Sequence, residues 1–192
     1  MKLIIIAMIL LLTAGCTLHQ KSTLSKTQIT DKVDRLLDQA YAFALKSEQY
    51  AQNNGRQLTK NELVYAKSIG LNYPENVRVV YTSNFPVPEN KEVLKGFKEL
   101  GYDSMFVAGV TYGHAIYIKN EGFASWLSDA DAILAHELVH VGQIEHAKNY
   151  KSFIRTYLIQ AFSNEYFEIP YEKEAYTKTA HFKGFDIEKG NK

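Results

Sequence analysis

The stretch "DAILAHELVHVGQ", residues 131–143, decides the fold of this 192-residue chain. Its apolar residues occupy nearly every side of a helical wheel, which predicts a helix buried in the core. Ser128 predicts the N-cap of this helix, which should run from Asp129 to about Lys148. Two histidines and a glutamate lie inside the stretch, and they need polar partners because an unpaired polar group is costly to bury.

Those polar residues form the pattern HExxH. Residues four apart lie on one face of a helix, so the imidazoles of His136 and His140 can bind one zinc ion. Glu137 follows the first histidine, and we expect it to act as a general base that takes a proton from water. The pattern therefore predicts a catalytic metal site, with zinc as the cofactor.

A catalytic zinc ion usually has a third protein ligand, and the residues offer several candidates. His146 has the spacing of a metzincin ligand, but Gly142 stands one residue before the position where that pattern has its glycine. On an uninterrupted helix His146 would also lie about 15 Å along the axis from the first histidine. Glu172 and Glu174, in the later segment "PYEKEAY", are the other candidates, and the spacing alone does not choose between them.

"HELVHVGQ" followed by "PYEKEAY" resembles small bacterial gluzincin-like metallopeptidase domains, including families of unknown function with a HELxHVxQ helix and a PxExEA segment. The resemblance covers about residues 107–181. It implies a minimal zincin-like fold, peptidase activity and Glu172 as the third zinc ligand. It also places Tyr176 where gluzincins have an aspartate that supports a histidine ligand. Finally, it implies that a peptide or protein substrate pairs with an edge strand, for which the predicted strand 114–119 is the candidate.

Other side chains are candidates for supporting roles. Gln143 follows His140 by three residues on the same helix face, so it is expected to contact the surroundings of the site. His181, Tyr166, Tyr171 and Tyr176 could each stabilise an oxyanion, and the sequence does not choose among them.

Elsewhere the periodicity predicts helices that surround a short sheet packed beside the HExxH helix, which is a mostly helical α+β fold. The other predicted helices cover 30–52, 59–69 (with Thr59 as its cap), 90–100, 151–162 and 170–182. The predicted strands are "NVRVVYT", "SMFVAGV" and "HAIYIKN", the last two joined by "TYG".

The N-terminus "MKLIIIAMILLLTAGC" predicts a signal peptide at residues 1–15, with a basic start and a short apolar run. Its end resembles a bacterial lipobox, which implies that Cys16 is lipidated and becomes the mature N-terminus. Residues 16–29 predict a flexible tether, and 30–192 a single domain. The lipobox implies a bacterial envelope protein anchored to a membrane, and in a Gram-negative host the residue after Cys16 implies the outer membrane.

The charge composition argues against a nucleic-acid-binding function for this chain. The chain has 22 Lys and Arg against 21 Asp and Glu, so it lacks the strong positive field typical of nucleic-acid partners. The sequence therefore predicts a lipid-anchored zinc metallopeptidase with a peptide or protein substrate. The alternative is a degenerate zincin-fold lipoprotein that binds or assembles envelope components. Glu137 favours the enzyme, because a purely structural zinc site does not need a general base.

Overall fold

The computed structural model describes residues 24–102, 107–121 and 129–185, in which helices surround a small mixed sheet. This arrangement confirms the predicted α+β fold. The helices are α1 (Lys26–Asn54), α2 (Lys60–Ser68), α3 (Lys91–Glu99), α4 (Ala130–His146), α5 (Tyr150–Ser163) and α6 (Pro170–Thr179). The strands are β1 (Arg56–Gln57), β2 (Arg78–Thr82), β3 (Gly109–Tyr112) and β4 (Ala115–Lys119).

Helix α1 begins four residues earlier than the sequence predicts. Ser25 and Gln28 form a capping box, in which each side chain accepts a hydrogen bond from the backbone N–H of the other, at 3.3 and 2.9 Å. Residues 26–29 therefore belong to the helix and not to the predicted tether. The buried face of α1 packs against α5, β2 and β4.

Strand β4 lies inside the sheet, parallel to β2 on one side and antiparallel to β3 on the other. The strand order is β1-β2-β4-β3, so the prediction that 114–119 is an edge strand is wrong. The physical reason is that Ala115 to Ile118 are four successive buried residues, a pattern typical of a strand covered on both faces. Among the described strands, β3 is the edge strand on this side, and it runs beside α4.

The β3–β4 hairpin is tighter than the sequence predicts. Tyr112 pairs with Ala115, which leaves only Gly113 and His114 in the turn. Gly113 has a φ of +61°, a left-handed conformation that glycine adopts without strain. Thr111 and Tyr112 therefore belong to β3, although the sequence assigns them to the connection.

Helix α4 is the central helix of the domain. The Asp129 side chain caps its first turn by accepting two backbone N–H groups, whereas the predicted cap, Ser128, lies outside the described residues. Every residue from Leu134 to Ile144 is buried except His136. The helix packs against α5, α6, β3 and β4, as expected for a core helix beside the sheet.

Several predicted helix starts agree with the structure. Thr59 caps α2 in a capping box with Glu62, and Asn90 caps α3. Pro170 occupies the first position of α6, where its missing N–H is not needed.

Some predicted features fall where the structure gives no description. The signal peptide at residues 1–15, the lipidation site Cys16 and the first part of the strand predicted at 104–110 lie outside the described residues. Within the described ranges, no helix combines the length and the apolar character needed to cross a bilayer.

Candidate metal centre

Three side chains from α4 and α6 bring nitrogen and oxygen atoms together. His136 and His140 lie one turn apart on α4, and their Nε2 atoms are 3.1 Å apart. Oε2 of Glu172 lies 3.2 Å from Nε2 of His136, and its Oε1 lies 3.4 Å from Nε2 of His140. The fold thus brings together the two histidines of the HExxH pattern and the glutamate that the resemblance implies, as a group that could hold a metal ion.

The group is shielded from solvent. His140 is 7% exposed, Glu172 is 2% exposed and the His136 side chain is 12% exposed. Burial acts to lower the pKa of His140, but the carboxylate of Glu172 outweighs it and raises that pKa to about 9. Burial acts to raise the pKa of Glu172, but the charge on His140 and the hydrogen bond from His136 hold it well below its usual value. A cation must therefore displace a proton to bind, so its affinity rises with pH.

Two tyrosines orient the carboxylate of Glu172. The hydroxyl of Tyr157, on α5, donates to Oε1 at 2.8 Å, and the hydroxyl of Tyr166 donates to Oε2 at 2.9 Å. Tyr166, one of the candidates for stabilising an oxyanion, lies in a 3₁₀ turn just before α6. Its hydroxyl is hydrogen-bonded to the carboxylate of Glu172. No sequence pattern singles out Tyr157, because a tyrosine on a helix of this aromatic-rich chain is indistinguishable from an ordinary core residue.

Gln143 supports the second histidine. The Nδ1–H of His140 donates to Oε1 of Gln143 at 2.8 Å, which leaves Nε2 directed at the metal-binding group. The Gln143 amide in turn donates to the backbone carbonyl of Tyr171 and to Glu174, both at 3.0 Å. Gln143 therefore lies next to the site, as its spacing from His140 predicts, and it links α4 to α6.

Tyr176 contacts the site through its ring. The ring packs against His136 with a centroid separation of 4.6 Å and an interplanar angle of 54°. Burial raises the pKa of the Tyr176 hydroxyl, which is hydrogen-bonded to Tyr166. The Nδ1–H of His140 donates its hydrogen bond to Gln143, three residues along the same helix, and not to Tyr176.

The remaining sequence candidates lie apart from the group. Nδ1 of His146 donates to the backbone carbonyl of Gly142 at 2.6 Å, and the residue is exposed at the end of α4. Glu174 accepts from Gln143 and pairs with Lys178 at 2.8 Å. His181 is exposed beyond the end of α6.

Glu137 lies on α4 beside the two histidines and is only 6% exposed. The hydroxyl of Thr111, on β3, donates to its Oε2 at 2.7 Å. Burial raises the pKa of Glu137 above its usual value, although the nearby histidines and the Thr111 hydrogen bond act in the opposite direction. The carboxylate is thus fixed in position, and its proton affinity is higher than that of an exposed glutamate.

Gly109 lets β3 pass close to this carboxylate. A Cβ atom at position 109 would lie 2.6 Å from Oε1 of Glu137 and 2.8 Å from the Ile133 side chain. Sequence reasoning missed both Gly109 and Thr111. A glycine inside a strand is the one signal that could have found the close approach.

A cavity of about 410 Å³ opens next to the group. Glu137, His140 and Glu172 line one part of it. Most of the remaining wall is apolar and comes from α1, α3, α5 and β3, including Ala44, Phe97, Leu100, Val110, Phe153 and Leu158.

The site combines a group that could hold a metal ion, a buried carboxylate that can accept a proton, and an adjoining cavity. That combination is what metal-assisted hydrolysis requires. Comparison with family models, with curated proteins and with solved structures finds no match to this chain.

Proposed function

We propose that this protein is a zinc-dependent metallopeptidase of the gluzincin type, which hydrolyses peptide bonds with Glu137 as general base. The observation that carries the proposal is the convergence of His136, His140 and Glu172 beside the buried carboxylate of Glu137. Two imidazoles and one glutamate are a ligand set of catalytic zinc, which keeps a further position for water.

The donor separations support zinc. A tetrahedral ion with bonds of 2.0–2.2 Å places its ligand atoms roughly 3.3–3.6 Å apart. The two histidine nitrogens lie 3.1 Å apart, and each lies 3.2 or 3.4 Å from one of the two carboxylate oxygens of Glu172, so side-chain shifts that present one oxygen to both histidines would accommodate the ion. The two nitrogen donors also disfavour calcium and magnesium, which prefer oxygen ligands.

The proposed chemistry divides between the ion and the protein. Zinc, when bound, supplies a Lewis acid that polarises the carbonyl and makes water more acidic. Glu137 accepts a proton from the attacking water and transfers it to the nitrogen that leaves as the C–N bond breaks. The raised pKa of Glu137 suits both steps, because the carboxylate has to be protonated for part of the cycle.

Strand β3 is the surface that we propose for the main chain of the substrate. Among the described strands it pairs only with β4, and Thr111 on this strand contacts Glu137. An extended peptide that added to the outer edge of β3 would run past the general base, held by main-chain hydrogen bonds. This role falls to β3 because strand 114–119 lies inside the sheet.

We also propose that a lipid on Cys16 anchors the enzyme to a bacterial envelope membrane. The lipobox resemblance and the signal peptide support this placement. Replacing Cys16 with serine should move the protein from the membrane fraction to the soluble fraction. A variant that stayed with the membrane would contradict the anchor without affecting the proposed chemistry.

The decisive experiment compares Glu137→Gln with wild type. Glu137→Gln should keep one zinc per chain and lose at least about 100-fold of its activity on a peptide library, because only the proton transfer is removed. Asp131→Asn removes an exposed carboxylate from the same helix and serves as the matched control, with activity close to wild type. Activity that survived in Glu137→Gln would contradict the proposal.

A further inference from the structure

The cavity beside the metal centre is larger than one amino-acid side chain requires. A cavity of about 150 Å³ in a protein core binds one benzene ring. The volume here, about 410 Å³, is nearly three times that value. Scaled from the six carbon atoms of benzene, this volume holds on the order of 16 carbon atoms.

Most of the cavity wall is apolar. Among the described residues, every buried side-chain nitrogen and oxygen atom has a hydrogen-bond partner. The tyrosine hydroxyls in the wall follow this rule: Tyr102 donates to the backbone carbonyl of Pro86 at 2.7 Å and lies 2.6 Å from the hydroxyl of Tyr112. Because most of the wall is apolar, an apolar occupant gains hydrophobic free energy there, whereas a polar group would lose its water over most of the cavity.

An ordinary peptide does not fill this space. Successive side chains of an extended peptide point to opposite faces, so only one of the two residues at the scissile bond can enter one cavity. The cavity also begins at the reacting groups themselves, because Glu137, His140 and Glu172 form part of its wall. The occupant must therefore start within a bond or two of the reacting carbonyl.

We propose that the cavity binds the acyl chain of an N-acylated substrate, so that the bond cleaved is the amide between a long-chain acid and an amine. This inference rests on the proposed amide hydrolysis and names its substrate class. In such an amide the chain begins at the carbonyl carbon, as the position of the cavity requires. Water adds to that carbon, the C–N bond breaks and Glu137 delivers the proton to nitrogen, which gives a fatty acid and a free amine.

Helix α1 sets the space available to the chain. Where it lines the cavity it contributes only the methyl groups of Ala40 and Ala44, both buried. A larger side chain at either position would project into the volume that the acyl chain occupies. Ala42 lies on the exposed face of the same helix, so the same substitution there provides a matched control.

The test measures the affinity of N-acylglycines with acyl chains of 2 to 14 carbons for the zinc-loaded full-length Glu137→Gln protein, by calorimetry. Because each buried methylene contributes hydrophobic free energy, affinity should rise two- to about fourfold per methylene up to about 12 carbons. Ala44→Phe should bind the shortest chains as wild type does and lose at least about tenfold for 12 carbons. Ala42→Phe should behave as wild type. Ala40→Leu provides a second, milder blocking variant if Ala44→Phe does not fold.

Binding and hydrolysis separate this inference from the proposed function. Chain-length-dependent binding that Ala44→Phe or Ala40→Leu abolishes supports the acyl site. If wild type cleaves the peptide library but none of the bound N-acyl amides, the assignment of the cleaved bond is overturned and the proposed peptidase function stands. If wild type cleaves neither, the proposed function is contradicted, whereas the binding result still supports the acyl site. An affinity that stops rising by six carbons would overturn the acyl site in favour of a pocket for a single side chain. Equal long-chain affinity in the blocked variants and Ala42→Phe would also overturn it.

Discussion

The hydroxyl of Thr111 donates a 2.7 Å hydrogen bond to the carboxylate of Glu137 and thereby joins the edge strand β3 to helix α4, which carries the two histidines. The contact depends on Gly109, because a side chain there would collide with the same carboxylate. The strand thus holds the proposed general base in place from the side on which we expect a substrate to bind.

Thr111→Val should lower kcat/KM by about tenfold while leaving bound zinc unchanged. The hydrogen bond from Thr111 lowers the pKa of Glu137, so its loss should raise that pKa and move the acidic limb of the pH–rate profile to higher pH. Thr111→Ser keeps the hydroxyl and should restore both the rate and the profile. An unchanged acidic limb in Thr111→Val would argue against Glu137 as the titrating base.

Glu172→Gln and Glu174→Gln are a matched pair of variants that tests which of the two glutamates binds the metal ion. Glu172 lies within 3.2 and 3.4 Å of both histidine nitrogens, whereas Glu174 contacts Gln143 and Lys178. We expect Glu172→Gln to weaken zinc binding at least about 100-fold, and Glu174→Gln to weaken it by less than about tenfold. Competition titration with a chromogenic chelator measures both values, and the reverse order would exclude Glu172 as the third ligand.

Gln143→Leu should weaken zinc binding by about 10- to 100-fold, because it removes the acceptor that fixes the ring of His140. Gln143→Glu keeps an acceptor at that position and should retain most of the affinity. If the two variants bound zinc equally well, the hydrogen bond to His140 would have no part in metal binding.

The metal-free protein should lose stability as the pH rises from 6.5 to 9. Folding raises the pKa of His140 from 6.5 to about 9, so the stability due to this proton is complete below pH 6.5 and is lost as the pH passes 9. Folding lowers the pKa of Glu172, so its contribution is present above pH 4.5 and is lost at lower pH.

Zinc reverses this dependence, because it binds the deprotonated ligands. The Tm difference between zinc-loaded and chelator-treated protein should therefore increase between pH 6 and pH 9. Thermal melts across this range, with Glu172→Gln as the control that lacks the ion pair, measure the effect. A constant Tm difference would show that metal and protons do not compete for these side chains.

The sequence predicts helices better than strands in this chain, because helix signals are local. Apolar periodicity, the caps Thr59 and Asn90, and Pro170 at a first helical position identify helix starts. A strand's place in a sheet depends on its pairing with distant segments, which the local sequence does not show. The resemblance implies an edge strand at residues 114–119, whereas β4 lies inside the sheet.

In the candidate site, too, the sequence predicts local relationships better than contacts between distant segments. His136, Glu137 and His140 lie on one helix at fixed spacing, and Gln143 extends that spacing by three residues, so the sequence alone could place them near one another. Tyr157 and Thr111 reach the site from a separate helix and a separate strand. Only the tertiary packing of α5 and β3 on α4 brings these hydroxyls to the carboxylates.

If Cys16 carries a lipid, the capping box at Ser25 limits how far the domain can stand from the membrane. Helix α1 starts directly after it, so nine residues separate Cys16 from the folded chain. Nine residues span at most about 30 Å even when fully extended. With a lipid on Cys16, the proposed enzyme would be confined to a thin layer over its own bilayer, and substrates would have to come to that surface to be cleaved.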